Sequence, residues 1–176
     1  ELSSLMIDDD SHFRAGTPDG MYYIDLNKGI KRLYANQKND PNSLSYNSVI
    51  SLYRSREGVL WVGTKNGLNI VYNTEPRFRS SKTYYENSGE IDQNTHSILE
   101  DKNGIIWQGS SNGINLFEPK AGLIQKLNYF LKGNSNSHDY ILSLNQTSNG
   151  TILAGTRGNG LIRIDMLNGS FPYKIK

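Results

Sequence analysis

The chain contains no cysteine among its 176 residues. Disulfides and thiolate metal sites are therefore excluded, and cysteine usage leaves the redox compartment open. No apolar run approaches the roughly 18 residues of a membrane span, so no membrane contact is expected of this segment. Charge of one sign is also lacking: 19 basic and 17 acidic residues leave a formal +2. Lys31-Arg32 and Arg77-Phe78-Arg79 are short enough to read as solvated strand faces, and no nucleic-acid partner is expected. No window shows a helical apolar period; the patterns alternate or run continuously over a few residues, as strands do. No signal peptide is visible, and a chain that opens on Glu1 reads as a piece of a longer protein.

What the chain does have is repetition. Ala15-Gly16-Thr17 recurs as Val62-Gly63-Thr64, Gln108-Gly109-Ser110 and Ala154-Gly155-Thr156, and the steps between these glycines are 47, 46 and 46 residues. A second pair follows each at nearly constant distance: Asp19-Gly20, Asn66-Gly67, Asn112-Gly113 and Asn159-Gly160. A fixed period of this length marks a repeat architecture.

The second copy shows the plan. Val49–Tyr53, Val59–Thr64 and Leu68–Tyr72 are β-rich runs separated by Arg56-Glu57-Gly58 and by Asn66-Gly67; Phe78–Tyr85 follows as a fourth strand. Asn-Gly between apolar runs predicts a type I′ hairpin, whose two central residues need positive φ. The earlier turn carries Gly58, Gly104 and Gly150, with Ser11 in the first copy; Asp8, Ser55, Asp101 and Thr147 stand three residues before and are expected to cap it. Ser4, Ser51, Ser97 and Ser143 fall on the first strand of each unit, where a small hydroxyl residue suits close packing of sheets.

Four-stranded antiparallel units of this period match the blade pattern of a β-propeller. The fold class is all-β, a propeller segment of four blades at approximately 1–47, 48–94, 95–139 and 140–176 within a single domain, forming a partial propeller, a small ring or a ring completed by a second copy. Trp61 and Trp107 are expected between blades; Arg14 and Leu153 hold that position in the end copies. Exposed faces on the end blades favour self-association.

These residues carry a likeness. Ser97-Ile98-Leu99-Glu100-Asp101-Lys102-Asn103-Gly104-Ile105-Ile106-Trp107 through Asn112-Gly113-Ile114-Asn115-Leu116-Phe117 resembles the two-component regulator propeller repeat. Leu60-Trp61-Val62-Gly63-Thr64 through Leu68-Asn69 and Gly155-Thr156 through Asp165 are similar, and Asp40-Pro41-Asn42-Ser43-Leu44 resembles the family's link between blades. The resemblance implies a periplasmic, non-enzymatic sensor segment of a hybrid two-component system, of the kind abundant in gut Bacteroidetes. Such a segment would respond to oligosaccharides and signal to a histidine kinase outside this chain. Family propellers are typically seven-bladed, and this chain departs from that with four units.

Catalytic chemistry finds little support in the residues. A nucleophilic triad or a metal site would have to draw on His12, His96 or His138, and each reads as solvated or structural. Asp8-Asp9-Asp10 alternate in direction rather than converge, and no cofactor is expected. Binding suits the chain better. The face that gathers blade links and second-to-third-strand turns would bring together Tyr46, Lys65, Asn66, Tyr84, Tyr85, Asn112, Tyr140, Arg157 and Asn159. Aromatic rings, amides and guanidinium groups are the residue types that hold sugars. A propeller that binds protein partners, and a propeller lyase or hydrolase, are the alternatives.

Overall fold

The computed structural model describes residues 1–72, 77–80, 94–118, 122–127, 140–167 and 170–175. Every regular element among them is a strand, in four sheets, each antiparallel and each in chain order. Blade 1 comprises β1 (Ser4–Ile7), β2 (His12–Thr17), β3 (Gly20–Asp25) and β4 (Ile30–Tyr34). Blade 2 comprises β5 (Val49–Arg54), β6 (Leu60–Thr64), β7 (Gly67–Tyr72) and β8 (Arg77–Ser80). Blade 3 has β9 (Thr95–Glu100), β10 (Ile106–Ser110), β11 (Gly113–Glu118) and β12 (Gly122–Leu127); blade 4 has β13 (Ile141–Gln146), β14 (Ile152–Thr156), β15 (Leu161–Leu167) and β16 (Ser170–Ile175). The chain is a β-propeller segment of four such blades. It divides into two compact units, Glu1–Thr95 and His96–Lys176.

Each unit has its own core between its two sheets. In the first, Met21 meets Val49, Leu60, Val62, Val71 and Phe78, with Met6, Tyr34 and Leu52 packed against them. Leu44 of the blade link is fully buried in the same cluster, so the Asp40–Leu44 segment is anchored by one apolar side chain. In the second unit, Trp107 and Leu116 of blade 3 pack with Ile141, Ile152, Ala154, Ile162 and Ile164 of blade 4. Trp107 therefore lies between blades, as its position in the repeat predicts, and Trp61 is likewise fully buried.

The recurring glycine of the Gly-Thr pair has a packing reason. Ser4 stands opposite Gly16, Ser51 opposite Gly63 and Ser143 opposite Gly155 on the adjacent strand. A Cβ on any of these glycines, or on Gly109, would collide with the serine Oγ of its own sheet. At Gly16 it would also come within 2.7 Å of Val49, and at Gly109 within 2.7 Å of Ile141. Both are the first residues of the next sheet, so the missing side chain seats the neighbouring blade.

The turns correct one expectation. Asn-Gly does not form the centre of a type I′ hairpin. Gly20, Gly67 and Gly113 are paired with Thr17, Thr64 and Ser110, so the central residues are Pro18-Asp19, Lys65-Asn66 and Ser111-Asn112. At the centre of the first turn Pro18 holds φ near −65°, which forbids a type I′ conformation there. Positive φ is taken by the closing glycine instead, for example 107° at Gly67. The hydroxyl before each turn completes it. Thr17, Thr64, Ser110 and Thr156 each donate to the closing glycine carbonyl at 2.9–3.0 Å and accept the amide of Asp19, Asn66, Asn112 or Asn159.

The first-turn caps are as expected in the middle blades and differ in the end blades. Asp101 accepts the amides of Asn103 and Ile105, and Ser55 accepts that of Val59. In blade 1 the cap is Asp9, which takes the amides of Ser11 and His12, while Asp8 is drawn away by Arg14 and Arg54. In blade 4, Asn149 accepts the Thr151 amide and Thr147 donates to the Thr151 carbonyl.

Candidate functional site

Strand order places the second-to-third-strand turns and the blade links at one end of each sheet, and the first-to-second-strand turns at the other. In the first unit the link is tied back tightly. Asn36 donates through its side chain to the Leu44 carbonyl and through its amide to Asn47 Oδ1. Ser45 donates its amide to Asn69 and bonds Thr64 through its hydroxyl. Between this link and the turns of blades 1 and 2 an open crevice of about 430 Å³ remains, lined by Pro18, Asn36, Tyr46, Asn47, Ser48 and Lys65. The Lys65 amide donates to the Ser48 carbonyl at 3.0 Å, which fixes the backbone from which the lysine extends. Tyr46 is 46% exposed.

The second unit repeats the arrangement with different side chains. Arg157 occupies the repeat position of Lys65, and its amide donates to the Tyr140 carbonyl at 2.8 Å. The Arg157 guanidinium carbon lies 5.6 Å from the centre of the Tyr140 ring, and the His96 ring lies 4.6 Å from it. Ser111, at the position of Pro18, meets His96 Nε2 at 3.5 Å. Tyr140 is thus already contacted by a cation and an imidazole, whereas the Tyr46 ring extends toward solvent.

The residues singled out from sequence distribute as follows. Tyr46 and Lys65 share the first crevice; Tyr140 and Arg157 share the second cluster. Asn66, Asn112 and Asn159 sit in the turns beside them, each with its amide held by the preceding hydroxyl. Tyr84, Tyr85 and His138 lie outside the described residues. Sequence reading left Pro18, Asn36, Asn47, Ser48, His96 and Ser111 out of the site. The available signal was register: Pro18, Lys65, Ser111 and Arg157 are one repeat position.

A second polar cluster stands at the opposite end of blade 1. His12 Nδ1 is 2.8 Å from Asp9 and its Nε2 is 3.5 Å from the buried Asp25, with the ring stacked on Tyr23 at 5.9 Å. The hydrogen bond to Asp9 raises the His12 pKa above 6.5 despite partial desolvation, aided by the charges of Asp9 and Asp25. The Ser11 amide and then the His12 side chain lower Asp9 to about 2. Burial alone would raise Asp25, but the Lys28 amide and the charges of His12 and Lys28 outweigh it, and its pKa is lowered. Among the described residues, no group of three or more His, Cys, Asp or Glu side chains is placed to hold a metal ion. No helix among them is long and apolar enough to cross a membrane.

Comparison with known proteins agrees with this architecture. Residues 43–66 match the family model described as two component regulator propeller. The extracellular domain of a hybrid two component system from B. thetaiotaomicron superimposes with a TM-score of 0.75 at 25% identity, over 94% of this chain and 21% of that one. A second structure of that domain, there described as a one component system, gives 0.78 at 23% identity over 99% and 22%. Virginiamycin B lyase from Staphylococcus aureus gives 0.67 at 16% identity over 99% and 54%, a likeness of fold alone. No curated protein matches the chain. The chain spans about a fifth of the two B. thetaiotaomicron structures. The family-model match falls on the blade link and the first two strands of blade 2, and the resemblance read in sequence extends to blades 3 and 4.

Proposed function

We propose that this chain is part of the extracytoplasmic, periplasmic sensor region of a hybrid two-component system. It acts by binding rather than by catalysis, and oligosaccharides bind in the crevices between blades. The observation that carries this reading is the open crevice of about 430 Å³ in which Tyr46, Lys65, Asn36 and Asn47 converge on a scaffold whose repeat is that of regulator propellers. The 25% identity to an extracellular domain over 94% of the chain supports the sensor role. A tyrosine face suits the C–H surface of a sugar, and amides suit its hydroxyls. Binding there bridges the turn of blade 1, the turn of blade 2 and their link. A ligand that holds these three together shifts the population toward the arrangement it prefers, and that is the event a kinase elsewhere in the protein would read.

The test is calorimetric titration of the chain with a panel of oligosaccharides. Saturable heat that Tyr46→Ala abolishes is expected. A panel that produces no heat with the chain, and no melting shift with the full sensor region, overturns the reading.

A further inference from the structure

We infer that the ligand of the first crevice, and of the matching Tyr140–Arg157 cluster, is acidic: an oligosaccharide bearing a carboxylate or a sulfate ester. The inference rests on the binding role proposed above and deepens it.

Three observations converge. First, the same repeat position holds a cation in each unit, Lys65 in one and Arg157 in the other, while the opposing turn supplies the uncharged Pro18 or Ser111. Both cations extend from a backbone amide fixed to the carbonyl just before the first strand, at 3.0 and 2.8 Å. Second, the two cations differ from four others of the molecule in what they meet. Arg14 and Arg54 are bonded to Asp8, Lys28 faces Asp25, and Arg163 is bonded to Asp165. Lys65 and Arg157 have no carboxylate within ion-pair distance among the described residues, and no carboxylate lines the first crevice. Third, Arg157 lies over the Tyr140 ring. A guanidinium beside an aromatic ring still has N–H groups to offer a planar or tetrahedral oxyanion. A lysine ammonium in an open crevice does the same as a point charge. A neutral sugar would leave both cations without a counterpart, whereas an acidic one supplies it.

The experiment titrates the chain calorimetrically with four probes: tri-galacturonate, a sulfated chondroitin disaccharide, neutral maltotriose and sodium sulfate. The acidic sugars are expected to bind about tenfold or more tighter than maltotriose, the scale of one charge-assisted hydrogen bond, and to weaken as salt rises. K65Q combined with R157Q should abolish the preference, and K65R should retain it for the first crevice. Which acidic probe binds tighter distinguishes carboxylate from sulfate. Equal affinity for neutral and acidic sugars, unchanged in K65Q/R157Q, overturns the inference while leaving the sugar-binding role standing. Sodium sulfate binding as tightly as the acidic sugars overturns it too, since the sugar would then contribute nothing. Absence of binding by all four probes overturns the inference together with the sugar-binding role of this chain.

Discussion

Trp107 donates its indole N–H to the carboxylate of Asp101 at 3.0 Å, and both residues are fully buried. The same two repeat positions in blade 1 hold Arg14 and Asp8, joined at 2.9 Å by the guanidinium Nε. One pair of positions therefore bridges the first turn to the second strand by two chemistries. Asp101 also accepts the amides of Asn103 and Ile105, so its loss would leave three donors short. Asp101→Ala is expected to destabilise the second unit by about 3 kcal/mol, and Asp101→Asn by less, because an amide oxygen can still accept. Urea unfolding followed by tryptophan fluorescence measures both.

The glycine–serine pair can be separated into its parts. At Gly155 an added Cβ meets only Ser143, whereas at Gly109 it meets Ser97 and also Ile141. Gly155→Ala should cost about 1–3 kcal/mol as an overpacked site, and Ser143→Ala should recover most of that. Ser97→Ala should recover much less of the cost of Gly109→Ala, because Ile141 remains in place. A double-mutant cycle at each site by thermal unfolding gives the comparison.

The charges at the far end of blade 1 give a pH dependence of known sign. His12 has a raised pKa in the folded chain, so its contribution is complete below about pH 6.5 and is lost as pH rises through the raised value. Asp9 is lowered from 3.8 to about 2, so its contribution is present above 3.8 and is lost as pH falls toward 2. The melting temperature should accordingly be highest between these limits and decline on the alkaline side. His12→Gln should flatten that alkaline decline. Thermal melts across the range, with an NMR titration of the His12 ring, check both statements.

We propose that a second copy covers the outer face of blade 1. Leu5, Ala15, Tyr22 and Leu33 form one cross-strand row, and Leu5, Ile7 and Leu33 are 57%, 64% and 46% exposed. Leu52 and Val62, the repeat equivalents of Leu5 and Ala15, belong to the core that blade 2 shares with blade 1. The face that blade 2 buries thus carries exposed Leu5, Ile7 and Leu33 in blade 1, around a buried Ala15. Light scattering should give a mass above 19.8 kDa, returning to it in a Leu5→Lys, Ile7→Lys variant. A monomer at all concentrations would remove the proposal.

Sequence made the blades legible because their signals are local and repeated in register. Glycine, hydroxyl and apolar positions recur together, and chance does not reproduce four aligned copies. The turn at Asn66-Gly67 is placed differently from the sequence expectation because the dipeptide can supply either the centre or the close of a turn, and the pairing of Thr64 with Gly67 decides between them. Asp9 rather than Asp8 caps the first turn because Arg54 competes for Asp8 from the next blade, a contact 46 residues away in sequence. The candidate site was legible only in part for the same reason. Tyr46 and Lys65 have suitable side chains, but Asn36 enters through a link that closes in three dimensions. Tyr140 is a candidate on the same face, and only the fold places the His96 and Arg157 side chains against its ring.

The space above Gly16 and above Gly109 is filled by the first residue of the sheet that follows, Val49 and Ile141. At the rim of the core between blades 1 and 2, and of that between blades 3 and 4, the joint is therefore one side chain meeting one missing side chain. A gene segment that duplicates a whole repeat copies both halves of the joint, the vacant glycine at its exit and the branched residue at its entrance. Gain or loss of whole repeats leaves such joints matched, so the length of this architecture can drift in steps of one repeat without compensating substitutions.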